Sequence, residues 1–410
     1  MPTGTTIGRR AALGLGLASG AAALAAPALA AAGKPMKIGM LMPFSGPWAR
    51  EGALERLGAE MAIADVNAAG GIKALGGRKL VLVPYDTQGT TETAKDGAER
   101  MIADHPDLPV ALGCWLSTFT LAATEVSERA KLPWITHGYA DAITSRGFHY
   151  VFDTSAPASY QAAHTVPALL AMAHAVGQTP KRVAMIGDNT AASVSFTKPL
   201  REHVLKSLGL KLVLDETYTP PLADASSLVE PLRAAHADFL LLSSSNVPDD
   251  KLLLDALHEF GLSGHLPALT EGGHMVAPEV VQTTGPAIVQ GMMAVVTNWP
   301  GPGTAELVKR FIARTKEPWM GQESTFAYGH IMMLRYLMEH GSAPTKPGFE
   351  QGLRKIDITT GPAIYFPGHR LQFNTNGLRI GAKLVIVQWQ NGVPVPIYPP
   401  DTATAKAIWV

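Results

Sequence analysis

Cysteine is almost absent from this chain, which limits both the cross-links and the thiol chemistry available to it. The 410 residues contain a single cysteine, Cys114, so no disulfide bond can form within the chain. A lone cysteine also provides neither a paired redox motif nor a zinc motif. Because Cys114 ends the apolar stretch 110–114, which is typical of a buried strand, we expect this thiol to pack in a core.

An excess of charge of either sign is also lacking. Lys and Arg number 34 and Asp and Glu number 34, with no basic block or stripe, so the electrostatic signature of a nucleic-acid-binding protein is missing. Charged residues make up 17% of the chain and apolar residues 47%, which is typical of a globular protein with a substantial core. The length favours two domains rather than one.

The familiar catalytic and cofactor motifs are missing as well. The sequence has no G-x-S-x-G, no H-E-x-x-H, no paired Cys motif and no Walker-type Gly-Lys-Ser/Thr. Its 13 histidines are scattered without the spacing of metal ligands. Missing motifs do not exclude an enzyme, but nothing in the sequence points to one, and we predict a protein that is not an enzyme and that holds no metal or cofactor.

The first 30 residues have the order of a secretory signal. Arg9 and Arg10 precede the uncharged stretch 11–29, and a small-residue cleavage site follows at 28–30. The paired arginines make the twin-arginine route one option for export. We expect 1–30 to be cleaved, with an uncleaved anchor as the alternative, and the mature protein to be periplasmic in a Gram-negative bacterium.

Short apolar stretches alternate with amphipathic helical stretches along the rest of the chain. This alternation predicts an α/β fold with doubly wound parallel sheets, in two halves separated by a break near 152–160. The predicted strands cover 36–42, 79–85, 109–114, 134–136, 182–187, 212–216, 237–242, 267–270, 292–297 and 383–389. The predicted helices cover 53–69, 91–104, 120–131, 195–208, 226–236, 249–260, 304–315, 325–340 and 346–356.

Polar residues follow the carboxyl ends of several predicted strands, where open α/β sheets bind ligands. The hydroxyl-rich turn 116–120 opens a helix, so its backbone N–H groups and its positive dipole end favour an anion; a plain helix cap is the alternative. Glu271 follows the strand 267–270, with a solvated loop acid as the alternative. Together these features suggest that one half binds a carboxylate and the other supplies an anion for an ammonium group.

Several segments in order resemble one known family. The chain is similar to the leucine/isoleucine/valine-binding protein family of bacterial ABC importers over about residues 36–395. The segments that carry the resemblance are 38–47, 64–72, 80–86, 113–120, 133–138 and 291–297. The family implies the type I periplasmic binding protein fold, in which two α/β lobes joined by three crossovers close on a ligand.

The resemblance also implies where the lobes begin and end. It places the crossovers near 152–155, 295–298 and 358–364. Lobe 1 would then contain 36–153 plus 297–360, and lobe 2 would contain 154–296 plus 361–410.

Ligand-binding positions follow from the same resemblance, residue by residue. The family's carboxylate-binding turn falls on Ser117 and Thr118, and a further backbone contact falls near Tyr139. The ammonium-binding glutamate falls on Glu271, and a tyrosine that faces the ligand falls on Tyr328.

The chain departs from the family at positions that shape the side-chain pocket. Ala140 replaces a hydroxyl residue, Ala192 a tyrosine and Glu51 an aromatic residue, while Trp115 and Tyr139 are bulkier than usual. Glu51 would favour a polar ligand if it faced the pocket; a solvated loop charge is the alternative. These departures argue against leucine, isoleucine and valine and for another amino acid, an amide or an aromatic acid.

The resemblance implies a periplasmic substrate-binding component of an ABC importer. It would capture an amino acid or a related small carboxylate or amide and deliver it, as a monomer, to an inner-membrane ABC permease, without any role for nucleic acid. A periplasmic sensor domain is the first alternative. An amide hydrolase, with Glu271 beside His137 or His274, is the second.

Overall fold

The computed structural model describes residues 33–410. The predicted signal at 1–30 lies outside these residues. Within 33–410, no helix combines the length and the apolar character needed to cross a membrane.

The first lobe is built on a five-stranded parallel sheet. Its strands are β1 Met36–Met42, β2 Leu80–Asp86, β3 Ala111–Gly113, β4 Trp134–Thr136 and β5 Val151–Asp153, in the order β2-β1-β3-β4-β5. The connecting helices are α1 Ala49–Ala68, α2 Thr91–Asp104, α3 Ser117–Arg129 and the short α4 Ala142–Ser145, and a 3-10 turn covers Lys73–Leu75. The interior strand β1 is an almost unbroken apolar run, because helices cover both faces of a parallel sheet.

The second lobe repeats this plan after β5. Its helices before and between the strands are α5 Ala158–Ala175, α6 Ala191–Pro199, a π-helical turn Leu200–Val204, α7 Leu205–Ser207, α8 Ser226–Val229, α9 Leu232–Ala235, α10 Val247–Glu259, a 3-10 turn Gly273–Val276, α11 Pro278–Thr284 and α12 Pro286–Val289. Its parallel strands are β6 Arg182–Asp188, β7 Lys211–Tyr218, β8 Phe239–Ser243, β9 Ala268–Glu271 and β10 Met293–Val296.

The chain then returns to the first lobe before it ends in the second. The returning elements are α13 Ala305–Thr315, α14 Gln322–Glu339, α15 Lys346–Lys355, β11 Asp357–Ile358, a 3-10 turn Gly361–Tyr365 and β12 Leu371–Gln372. The last strands, β13 Val385–Gln390 and β14 Val393–Tyr398, add antiparallel edges to the second sheet, whose order is β14-β13-β10-β9-β8-β6-β7. The predicted two-lobed α/β fold is confirmed.

One predicted lobe boundary is wrong. Residues 361–373 were expected in lobe 2, but Phe366, Leu371 and Phe373 are buried in the core of lobe 1 with side chains of α14. The third crossover therefore comes later: Arg379 N–H donates to the carbonyl of Asp153 at 2.8 Å, beside the first crossover. The segment is short and rich in proline and glycine, so its sequence has no periodicity that assigns it to either core.

Three element boundaries next to the cleft differ from the prediction and decide where polar groups lie. Helix α3 begins at Ser117, three residues earlier than expected, and α14 begins at Gln322 rather than at 325. Strand β9 extends to Glu271, which places its carboxylate in the last strand position rather than in a loop. Cys114 is fully buried, as predicted.

Candidate ligand-binding site between the lobes

A cavity lies between the two lobes, at the carboxyl ends of β3 and β4 on one side and of β6, β8 and β9 on the other. This is the position that doubly wound sheets use for ligands. Its walls are formed by Trp115, Leu116, Ser117, His137, Tyr139, Thr190, Ala192, Ser193, Ser244, Ser245, Glu271, Gly272, Gly273, His274 and Gln322.

Ser117 supplies one of the polar groups of the lobe 1 wall. Its Oγ accepts hydrogen bonds from the backbone N–H groups of Tyr139, at 2.9 Å, and Ala140, at 3.1 Å. Because both partners are donors, the Ser117 hydroxyl keeps its own proton for a ligand acceptor. Ser117 is also the first residue of α3, and the first-turn N–H groups of a helix favour a negative group.

Glu271 supplies the charge of the lobe 2 wall. Its Oε2 accepts a hydrogen bond from Ser243 Oγ at 2.9 Å, whereas Oε1 has no hydrogen-bond partner among residues 33–410. Burial raises the pKa of Glu271 to about 8, partly offset by the Ser243 hydrogen bond and by the charge of His274. A buried carboxylate with one unpaired oxygen is costly, so this position favours a cation or an N–H donor from a ligand.

His274 is held as an imidazolium beside Glu271. Its Nδ1 lies 2.5 Å from Asp250 Oδ2, and its Nε2 lies 3.0 Å from the backbone carbonyl of Glu271, which can only accept a hydrogen bond. Burial alone would lower the pKa of His274, but Asp250 outweighs it and, with Glu51, raises that pKa to about 10. The ring packs edge to face against Trp115 of the other lobe, with centroids 6.3 Å apart.

Hydrogen bonds between the lobes show that the cleft is closed. Thr118 Oγ1 of α3 accepts a hydrogen bond from the backbone N–H of Ala191 at 3.1 Å, which joins the first helices of the two walls. Trp319 Nε1 donates to the carbonyl of Val276 at 3.0 Å. Each of these bonds joins a lobe 1 residue to a lobe 2 residue, so each exists only when the lobes have come together.

An ion-pair bridge and a close glycine contact complete the closed interface. Arg50 of α1 contacts Glu279 of lobe 2 at 2.7 Å and Glu317 of lobe 1 at 2.6 Å. Gly273 of lobe 2 lies against Glu323 of α14 so closely that an added Cβ would stand 2.3 Å from Glu323 Oε1. Glycine at this position therefore lets the lobes approach one another fully.

Four of the predicted site residues line the cavity together: Trp115, Ser117, Tyr139 and Glu271. Thr118 does not line it; its hydroxyl joins the lobes instead. The predicted grouping of Ser117 opposite Glu271 therefore matches the geometry, while their roles in binding stay a prediction.

The structure places two predicted site residues away from the cavity. Tyr328 is buried in the core of lobe 1, where its hydroxyl donates to Asp65 Oδ2 at 2.8 Å, so its expected orientation toward the ligand is wrong. Glu51 lies within α1, not in a loop, and is fully buried behind the cavity wall, which contradicts both the pocket and the solvated alternative. Burial raises the pKa of Glu51 to about 8.

Sequence reasoning missed most of the lobe 2 wall. Ser244 and Ser245 follow β8 at its carboxyl end, and Thr190 and Ser193 follow β6. The rule that pointed to Ser117 also applies to these serines and to Thr190, because they occupy the same position relative to their strands. Gln322 carried no such signal, since it approaches the cavity from the start of a helix.

Comparison with known proteins agrees with this geometry. The sequence profile of the family described as periplasmic binding protein matches residues 35–393. The chain belongs to this family. Among curated relatives of this periplasmic binding protein, Leu/Ile/Val-binding protein homolog 7 of Brucella melitensis biotype 1 is 30% identical over 401 residues, covering 94% of this chain and 97% of the relative.

Solved structures of periplasmic binding proteins share the fold. The branched-chain amino acid transporter substrate-binding protein LivJ of Streptococcus pneumoniae, in complex with isoleucine, has a TM-score of 0.74 at 18% identity, covering 88% of this chain and 100% of that one. A solute-binding protein of R. palustris in complex with benzoate also has a TM-score of 0.74 at 18% identity, covering 91% and 99%. At this identity the likeness shows the two-lobed fold and leaves the ligand open.

Proposed function

We propose that this protein is the periplasmic substrate-binding component of an ABC importer and closes on an amino acid or a related small carboxylate or amide. The observation that carries the proposal is the unpaired, buried Oε1 of Glu271 in an interlobe cavity that Ser117 also lines. A ligand with an N–H or ammonium group at one end and an acceptor at the other would satisfy both walls at once.

The polar groups on the two walls are sufficient for useful affinity. Hydrogen bonds to charged groups contribute about 1.5–3 kcal/mol each, so three or four of them amount to roughly 5–12 kcal/mol before costs. Ordering the ligand and closing the lobes consume part of this gain. At the upper end of this range, with costs of about 4 kcal/mol, roughly 8 kcal/mol remains, which corresponds to a dissociation constant of the order of micromolar.

Closure follows from the differential contacts of the two states. A ligand that touches only one lobe stabilises open and closed forms equally, whereas one that pairs with both Ser117 and Glu271 favours the closed form. The ligand also relieves the cost of burying Glu271 without a partner. Ligand binding and closure are thereby coupled, and a permease can distinguish loaded from unloaded protein by shape.

The hydrogen bonds of His274 favour a binding role over a hydrolytic one. Each faces a protein acceptor, Asp250 or the carbonyl of Glu271, so the ring offers no lone pair for taking a proton from water. The family also consists of binding proteins, and we infer that this member acts without catalysis and as a monomer.

Export is the remaining part of the proposal. We infer that 1–30 directs secretion and that Arg9 and Arg10 select the twin-arginine route. Replacing both arginines by lysine should retain the full-length precursor in the cytoplasm. Secretion of the variant at the normal rate would point to the general secretory route instead.

A thermal-shift screen of residues 31–410 tests the binding function. The library should hold amino acids, small amides, short-chain acids and aromatic acids, since a ligand at 100 times its dissociation constant stabilises the folded protein by about 2.7 kcal/mol. We expect at least one compound to raise the melting temperature and to lose most of that effect in Glu271→Gln. A screen without any stabilising compound, or a best compound that is indifferent to Glu271→Gln, would contradict the proposal.

A further inference from the structure

Hydroxyl groups dominate the lobe 2 wall of the cavity beside Glu271. Thr190, Ser193, Ser244 and Ser245 all line it, and Ala192 is the one aliphatic side chain among the lobe 2 residues there. A hydroxyl can donate one hydrogen bond and accept others. The direction of each existing bond therefore determines what that hydroxyl can still offer to a ligand.

The two hydroxyls that follow β6 already donate their protons to protein acceptors. Thr190 Oγ1 donates to Asp188 Oδ1 at 2.7 Å. Asp188 Oδ1 also accepts a hydrogen bond from the backbone N–H of Thr190 at 2.9 Å. Ser193 Oγ donates to the backbone carbonyl of Ser243 at 2.7 Å, and a carbonyl can only accept. Both hydroxyls can present only lone pairs to the cavity.

Of the two hydroxyls that follow β8, Ser244 also donates its proton to a protein acceptor. Ser244 Oγ donates to Asp250 Oδ1 at 2.5 Å, while the other oxygen of that carboxylate faces His274. Ser245 differs, because its Oγ accepts a hydrogen bond from Trp48 Nε1 at 3.4 Å and keeps its own proton. Together with Glu271 Oε1, the hydroxyl oxygens of Thr190, Ser193 and Ser244 form an acceptor wall.

The lobe 1 wall has the opposite character. Ser117 keeps a free hydroxyl proton, because its oxygen already accepts two backbone hydrogen bonds. Gln322 Oε1 accepts from the Tyr139 hydroxyl at 2.6 Å and from the backbone N–H of Thr297 at 2.7 Å. Its Nε2 donates one proton to Glu323 Oε1 at 3.3 Å and keeps the second for another acceptor. The closed cleft is thus polarised, with donors on one side and acceptors on the other.

We infer that the ligand presents to lobe 2, in addition to a single ammonium, N–H groups such as those of a carboxamide or guanidinium. The inference rests on the proposed function and deepens it, because it selects nitrogen-rich amino acids and amides over branched aliphatic and acidic amino acids. An aliphatic side chain would leave the lone pairs of the acceptor wall without donors, and a carboxylate would face Glu271.

Asparagine, leucine and aspartate form a matched set of probes, since their side chains share one branched shape and differ in polarity. Isothermal titration calorimetry of residues 31–410 at fixed pH and salt should show asparagine binding at least about 10-fold more tightly than leucine, with aspartate weakest. Leucine or aspartate equal to asparagine would overturn the inference and leave the binding function standing. Failure of asparagine, glutamine, arginine and acetamide would also overturn the inference, and the binding function would fail with it only if no compound of the thermal-shift library bound.

Thr190 provides the matched variants. Thr190→Val keeps the shape and the backbone bond to Asp188 but removes an acceptor lone pair, whereas Thr190→Ser keeps the hydroxyl. We expect Thr190→Val to weaken asparagine binding by about 3- to 10-fold and leucine binding by less than 2-fold, with Thr190→Ser near the parent.

Thr283→Val removes a hydroxyl that donates to a helix carbonyl outside the cavity and controls for general effects on folding. Melting temperatures of the variants report whether Thr190→Val folds normally. An equal loss for asparagine and leucine would show that Thr190 merely supports Asp188, and would contradict the acceptor wall.

Discussion

Replacing Glu271 by glutamine is the sharpest perturbation of the cleft. Glutamine has the same shape and can still accept the hydrogen bond from Ser243, which lies 2.9 Å from Oε2. The change removes the negative charge and leaves the rest of the wall in place. Its effect on binding therefore isolates the charge that Glu271 offers to a ligand.

The expected loss follows from the contact that disappears. A hydrogen bond to a charged group contributes about 1.5–3 kcal/mol, which corresponds to roughly a 10- to 150-fold increase in the dissociation constant. The protein without ligand should not lose stability, because a buried carboxylate with an unpaired oxygen is itself costly. We expect its melting temperature to stay the same or to rise.

The same variant should alter the pH dependence of closure. Burial in the closed cleft raises the pKa of Glu271 from 4.5 to about 8. Without ligand, this carboxyl therefore favours closure most below pH 4.5 and less as the pH rises toward 8, because a carboxyl that is ionised in the open form must take up a proton when it is buried. Glu271→Gln should remove this component, and a cationic ligand should offset it in the parent.

Calorimetric titration of parent and variant with the best compound of the thermal-shift screen measures the change in affinity. Small-angle scattering from pH 4.5 to pH 8 measures closure in the absence of ligand. Ser243→Ala, which removes the partner of Oε2, should weaken binding less than Glu271→Gln. An affinity within about 2-fold of the parent in Glu271→Gln would refute the role of this carboxylate.

Further variants test the interlobe contacts and one corrected assignment. Arg50→Gln should weaken ligand affinity by about 2- to 5-fold and reduce its salt dependence, with Arg56→Gln as the control within one lobe; equal salt dependence would argue against the bridge. Gly273→Ala should weaken binding by about 2- to 5-fold, because the Glu323 side chain must shift to admit the methyl group, whereas Gly89→Ala, where a Cβ meets no atom within 4 Å, should leave binding unchanged. Tyr328→Phe should lower the free energy of unfolding by about 1 kcal/mol in a denaturant titration without changing ligand affinity. A loss of affinity would instead show that Tyr328 belongs to the binding site.

The sheets and the main position of the site could be predicted because both depend on local sequence patterns. Apolar strands that alternate with helices specify parallel sheets, and the carboxyl ends of neighbouring strands must lie at one edge. Ser117 and Glu271 follow such strands, so their placement at the cleft needed only the topology.

The predictions that were wrong share a different origin, which is tertiary packing. Whether Tyr328 faces the cleft or the core depends on the rotation of α14, and its buried bond to Asp65 is a contact between residues distant in sequence. Glu51 was misplaced because α1 begins earlier than its apolar spacing suggested. The return of Phe366 and Phe373 to lobe 1 likewise depends on tertiary packing.

The direction of the hydrogen bonds in the cavity walls also could not be predicted from the sequence. Two serines after β8 indicate polarity, but only their partners show that Ser244 donates its proton to Asp250 whereas Ser245 accepts a hydrogen bond from Trp48. The donor or acceptor character of a wall is a property of the folded network rather than of its composition.

A crystal structure of the protein with its tightest ligand tests the central claim most directly. The account predicts a ligand nitrogen about 2.7–2.9 Å from Glu271 Oε1 and a ligand acceptor within hydrogen-bond distance of the Ser117 hydroxyl, with the lobes closed as described here. A ligand bound outside this cleft, or one whose acceptor or apolar atoms face Glu271 Oε1, would contradict it.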